Sequence, residues 1–218
     1  MILVKKTHST FFFIAFFVLS IFSSCQLNQK EKQISGSDFN VGSTEAFKQV
    51  VAFSDSIVFE HTQGIADIHE AYMRYLDSVC PLILKNGDFG RSGIDADTRE
   101  KLFDSLNKEE LEEIFMVGDT IEYFSMDVKR KVKKYFPYHV EMNPKGEFAD
   151  LLAQLSDNNP LVKNYYTEMM ARGDLSPSCY GMVLRNYDQL DFSNAGHRLL
   201  YAVTILRANE KIKDRFVH

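Results

Sequence analysis

The sequence predicts an all-α fold: one globular domain of about seven to nine helices over residues 44–218, behind a flexible N-terminal tether. Three observations predict it. Apolar residues recur at three- and four-residue spacing from Phe47 onward. Ser, Thr, Asp and Asn stand repeatedly just ahead of these stripes, where helix caps belong. No convincing run alternates with period two, and Ser56–His61 and Met116–Tyr123 are the only strand-like competitors.

The elements follow in order. Thr44 caps a segment that buries Phe47, Val50 and Val51, and Gly64 separates it from a stripe of Ile65, Ile68, Tyr72, Tyr75, Leu76 and Val79. Pro81 should stop that second helix, because a proline lacks the N–H that an interior position must donate. Gly87, Gly90 and Gly93 mark a loop. Asp97 with Glu100, Asn107 with Glu110, and Asp119 with Glu122 have the spacing of capping boxes. The last of these opens a helix over 119–136, with Phe124, Val128, Val132, Tyr135 and Phe136 on its apolar side. Phe148, Leu151, Leu152 and Leu155 share a further face. Asn159-Pro160 starts a helix that Gly173 ends, Ser176-Pro177 starts a short one, and the last runs from Ser193 with Ala195, Leu199, Ala202, Val203 and Leu206 inward.

Composition bounds the function. The chain has 218 residues, 45% hydrophobic and 25% charged, with a net charge of −5. An acidic balance of this kind excludes nucleic acid as the expected partner, since neutralising phosphates takes a basic excess.

The first 24 residues read as an export signal. Lys5 and Lys6 precede an apolar block from Phe11 to Phe22, followed by Ser23-Ser24-Cys25. Twelve helical residues span about 18 Å, well short of a bilayer's roughly 30 Å hydrocarbon core. Phe22-Ser23-Ser24-Cys25 resembles the lipobox of bacterial lipoproteins, with Phe22 where that family usually has an aliphatic residue. The resemblance covers about a tenth of the chain and concerns targeting alone. It implies that the Cys25 thiol takes a diacylglyceryl group, that cleavage leaves Cys25 as N-terminus, and that acyl chains fasten the protein to a membrane. Gln26, where an Asp favours inner-membrane retention in that family, implies the outer membrane. Residues 25–43 then form a polar tether with a root-mean-square reach of about 23 Å, and 44–218 form the folded body.

Cys80 and Cys179 remain. In an oxidising compartment they are candidates for a disulfide; the alternatives are buried inert thiols, or a reactive Cys179 in the first turn of its helix, where the dipole favours a thiolate. The most distinctive charged feature is Lys129, Arg130, Lys131, Lys133 and Lys134, five cations in six residues of an acidic protein. They read either as charges at a helix C-terminus or as a contact for an anionic partner such as lipid headgroups, an acidic glycan or an acidic protein patch.

Familiar catalytic patterns are incomplete. Ser105-x-x-Lys108 and Ser156-Asp157-Asn158 match two motifs of penicillin-recognising enzymes, but the third, Lys-Thr-Gly, does not follow. His61 and His69 lack metal-ligand spacing, and Asp95 and Asp97 do not continue into a calcium loop. No cofactor motif is present. The expected function is therefore a lipid-anchored, extracytoplasmic binding protein without catalysis, its partner an envelope protein, a glycan or a toxin held by an immunity-type inhibitor. The alternative is an envelope hydrolase of peptidoglycan, glycan or peptide, using carboxylates or Cys179 with His139 or His197.

Overall fold

The computed structural model describes residues 44–125 and 128–209, with backbone alone over 119–125 and 133–138. Cys25 and the expected signal and tether lie outside the described residues. The body is predominantly helical, as the periodicity predicts. Its eight described α-helices are α1 (Glu45–His61), α2 (Ile68–Asn86), α3 (Ala96–Ser105), α4 (Lys108–Glu112), α5 (Glu147–Ser156), α6 (Pro160–Arg172), α7 (Pro177–Arg185) and α8 (Ala195–Ala208). Between α4 and α5 stand two strands, β1 (Phe115–Ser125) and β2 (Arg130–Met142).

Helix α8 is the axis of the core. It is buried from Ala195 to Arg207, so a stripe on one side understates it. A helix enclosed all round must satisfy its polar side chains internally. Arg198 meets Asp55 of α1, the Thr204 hydroxyl bonds to the Leu200 carbonyl, Arg207 grips Asp174, and His197 accepts a bond from the Asp191 N–H. Around α8, Leu199, Leu200, Val203, Ile205 and Leu206 pack with Tyr72, Tyr75, Leu76, Tyr165 and Phe192. Each such aliphatic side chain stabilises by about 1.5–3 kcal/mol when fully buried.

Local chemistry sets most helix ends. Asn107 accepts from the Glu110 N–H while the Glu110 carboxylate takes the Asn107 N–H, both at 2.8 Å, a reciprocal capping box. Asn159 accepts from the N–H groups of Leu161 and Val162, and Gly173 closes α6 at φ +74°. Three expected boundaries move, the last helix being capped by Asn194 instead of starting at Ser193. Helix α3 is capped by Asp95, which accepts from Thr98, instead of by Asp97. Helix α2 continues through Pro81 to Asn86, since Cys80 and Ile83 are held in the core on either side of the proline.

The expected helix over 119–136 is instead a β-hairpin, antiparallel from Phe115↔Met142 to Ser125↔Arg130. Its i, i+4 apolar spacing is coincidental in a segment rich in β-branched and aromatic residues. Asp119 and Glu122 are strand positions, not a cap, and Glu122 stands opposite Lys133. Phe136, Pro137 and Tyr138 face Asp119 alone between two regular stretches, an irregularity that accommodates the proline's missing donor. Phe115, Val140 and Met142 at the hairpin base are buried. The Asp174 carboxylate joins that base to α8, accepting from the Met142 N–H at 3.2 Å and from Arg207 Nε at 2.9 Å.

Candidate functional site

The ends of three helices enclose a cavity of about 460 Å³, lined from α5 by Leu151, Gln154 and Leu155, with Asn158, Asn159, Gln189, Asp191, Asn194, Gly196 and His197 completing it. That volume falls in the usual range for small-ligand sites. The local sequence explains why these groups converge. Asn159 caps α6 and Asn194 caps α8, so both helix N-termini open here, while α5 ends at the same place. The Asn159 side-chain amide donates to the Gln189 carbonyl at 2.8 Å, pinning the short 3-10 turn Tyr187–Gln189 against α6.

Some lining groups are spent on structure and others are available. The Asn159 oxygen is taken by two backbone N–H groups and its nitrogen by Gln189. Asn194 uses its oxygen on the Gly196 N–H, which leaves its NH2 group. The exposed carboxamides of Gln154 and Asn158 make no side-chain hydrogen bond among the described residues. Leu151 and Leu155 supply an aliphatic wall.

His197 is the best-defined polar group of the pocket. Its Nδ1 lies 2.9 Å from the Asp191 backbone nitrogen and 3.1 Å from the Asp191 carbonyl oxygen, so the Asp191 backbone fixes the ring. Burial holds its pKa below the ordinary value, against the opposing pull of the Asp191 carbonyl and carboxylate. The ring is therefore a neutral imidazole. Asp191 is held in its ionised form, its pKa lowered first by the Ser193 hydroxyl and then by the Ser193 N–H. Its carboxylate lies 3.6 Å from His69 Nδ1, and His69 Nδ1 accepts from the Phe192 N–H.

This arrangement presents carboxamides, a neutral imidazole and one carboxylate, Asp191. The one carboxylate among the lining residues is held as an anion, whereas cleavage of a glycosidic bond calls for a protonated acid facing a second carboxylate. Carboxamides and a neutral imidazole match hydroxyl or amide groups.

The cysteines are placed elsewhere. Cys80 and Cys179 are free, buried thiols, which replaces the disulfide expectation. Cys80 is pushed up to about 12 by burial and then by the charge of Asp77, the behaviour of an inert thiol. Cys179 Sγ has the Ser176 hydroxyl 3.4 Å away. His197 Nδ1 is engaged with the Asp191 backbone, and His139 Nε2 lies 3.8 Å from Glu141. Among the described residues no cluster of three or more His, Cys, Asp or Glu side chains has metal-binding geometry.

Lys129 to Lys134 occupy the far end of the hairpin, not a helix C-terminus. Lys129, Arg130 and Lys131 are exposed. The pocket was not foreseeable from motifs; its one sequence signal is the density of Asn, Gln and Asp over 154–159 and 186–194, where each residue reads as a cap or turn former. No family of known proteins, no curated protein and no solved structure matches this chain.

Proposed function

We propose that the chain is a lipid-anchored binding protein of the bacterial envelope, whose helical body captures an uncharged, hydroxyl- or amide-bearing ligand such as a glycan segment in the cavity between α5, α6 and α8. The cavity's neutral polar groups support this reading above any other feature: the carboxamides of Gln154 and Asn158, the Asn194 amide and the neutral imidazole of His197 beside an aliphatic wall. Polar groups placed around an apolar surface orient a small ligand and select it. The lipobox-like Cys25 supports the placement, with tether 25–43 letting the body sample the space next to a membrane.

The test is saturation-transfer NMR with a panel of neutral oligosaccharides, maltose, cellobiose and chitobiose among them. At least one is expected to receive saturation, and the joint Gln154→Ala, Asn158→Ala variant should weaken its binding by about tenfold. That corresponds to two lost hydrogen bonds of about 0.7 kcal/mol each. A panel without any binder, or binding untouched by the double variant, would remove the pocket from the function.

A further inference from the structure

The hairpin tip combines two features that occur together nowhere else among the described residues. Val128 is 52% exposed, the most exposed of the large hydrophobic side chains among the described residues. It is followed directly by Lys129, Arg130 and Lys131, all exposed, with Lys133 and Lys134 next along β2. From Ser125 to Lys134 the sequence holds five basic residues and one acidic, Asp127, in a chain of net charge −5. Lys129 turns the chain at φ +50°. Ten strand residues separate this turn from the buried base at Phe115, a path of about 33 Å.

A lone surface valine needs no explanation, and surface cations are ordinary. An apolar residue at the turn of a hairpin, flanked by three consecutive cations, fits one partner chemistry in particular. The bilayer interface offers apolar depth at its acyl boundary and negative charge at its headgroups, and each cation near an anionic leaflet contributes about 1 kcal/mol. An acidic protein or glycan would use the cations and leave Val128 in water.

We propose that the Val128–Lys131 tip is a membrane-docking element that inserts Val128 into the interface of a leaflet containing anionic phospholipid while Lys129, Arg130 and Lys131 contact the headgroup phosphates. The inference rests on the membrane placement of the chain but not on acylation itself. The tip and the N-terminal attachment are then two separate contacts, which fix the orientation of the body over the surface instead of leaving it to swing on its tether.

The absence of tryptophan from the chain gives a direct readout. The full chain carrying Val128→Trp, reconstituted into vesicles, contains one indole at the tip. In vesicles with phosphatidylglycerol its emission should shift to the blue, and acyl-brominated lipid should quench it at least twofold more than in pure phosphatidylcholine vesicles. Adding Lys129→Gln, Arg130→Gln and Lys131→Gln should abolish the difference, as should about 0.5 M salt, which shortens the electrostatic range about twofold relative to 0.1 M. Met116→Trp, on the exposed base of the same hairpin, should stay unquenched in both vesicle types and shows whether quenching belongs to the tip. Equal quenching in neutral and anionic vesicles, quenching that survives the three glutamines, or equal quenching at position 116 would overturn the proposal. So would a tip that stays in water on anionic vesicles and is covered only by an acidic protein or glycan. Attachment through Cys25 is read separately from the mass of the N-terminal fragment, so the two ideas fail independently.

Discussion

Asp55→Ala is expected to destabilise the protein by about 3–5 kcal/mol, because it strands a buried guanidinium. Asp55 and Arg198 are each only 2% exposed, and Arg198 Nε lies 3.3 Å from Asp55 Oδ1. The rest of the network is already committed. The Tyr72 hydroxyl donates to Asp55 Oδ1 at 2.8 Å, and Arg198 Nη1 donates to the carbonyls of Phe192 and Ser193. Burial, followed by the neighbouring Asp55 charge, raises the Tyr72 pKa well above its ordinary value, so Tyr72 stays a donor. Arg198→Met should cost a similar amount by leaving the carboxylate without its countercharge. The double variant Asp55→Ala, Arg198→Met should lose clearly less than the sum, since neither charge is then stranded. Urea unfolding of the four proteins measures this, and additive losses would show that the pair is not coupled. The pair joins α1 to α8, and Arg198 also holds the Phe192 and Ser193 carbonyls of the loop ahead of α8, so its loss should loosen Asp191 and the pocket wall.

Gly146→Ala is the second large effect, about 3 kcal/mol, at the upper end of what overpacking costs. A Cβ at this N-cap of α5 would stand 2.9 Å from the carbonyl carbon of Glu113 and closer still to its oxygen. The obstacle is backbone and cannot rotate away. Glu113 is also held in place, its carbonyl accepting from the Phe148 N–H at 3.1 Å, and Asn143 bonds to the Ile114 carbonyl beside it. The alanine must therefore push α5 away from the start of β1. For a domain of this size the melting temperature should fall by roughly 6–12 °C. Gly173→Ala is the comparison: no atom lies within 4 Å of its Cβ, and only the φ of +74° opposes the substitution. Its cost should be near 1 kcal/mol. Equal shifts for the two variants would contradict the steric account.

How much of this was legible in the sequence depends on the range of the interaction. The caps at Asn107, Asn159 and Ser176 and the glycine stop at Gly173 are set by residues within four positions, and they are found where the pattern puts them. The hairpin was legible only as the strand-like competitor at Met116–Tyr123, which lies inside β1. Phe124, Val128, Val132 and Tyr135 fall at helical spacing, and the alternation of buried Phe115, Val140 and Met142 with exposed Met116 and Glu141 is too short to outweigh it. Pro81 misled because a local rule was overridden by the burial of Cys80 and Ile83. The Asp55–Arg198 pair and the pocket are tertiary. They join α1 to α8, or the ends of three helices, and no spacing along the chain encodes which carboxylate meets which guanidinium. The cysteines show the same limit, since two thiols in one body indicate a bridge only if the fold brings them together.

The measurement that bears most directly on the account is intact mass spectrometry of the protein purified from the membranes of the cells that produce it. The account predicts an N-terminus at Cys25 bearing a diacylglyceryl thioether, with every peptide before it absent. A chain that begins elsewhere, or one with an unmodified Cys25 thiol, would contradict it.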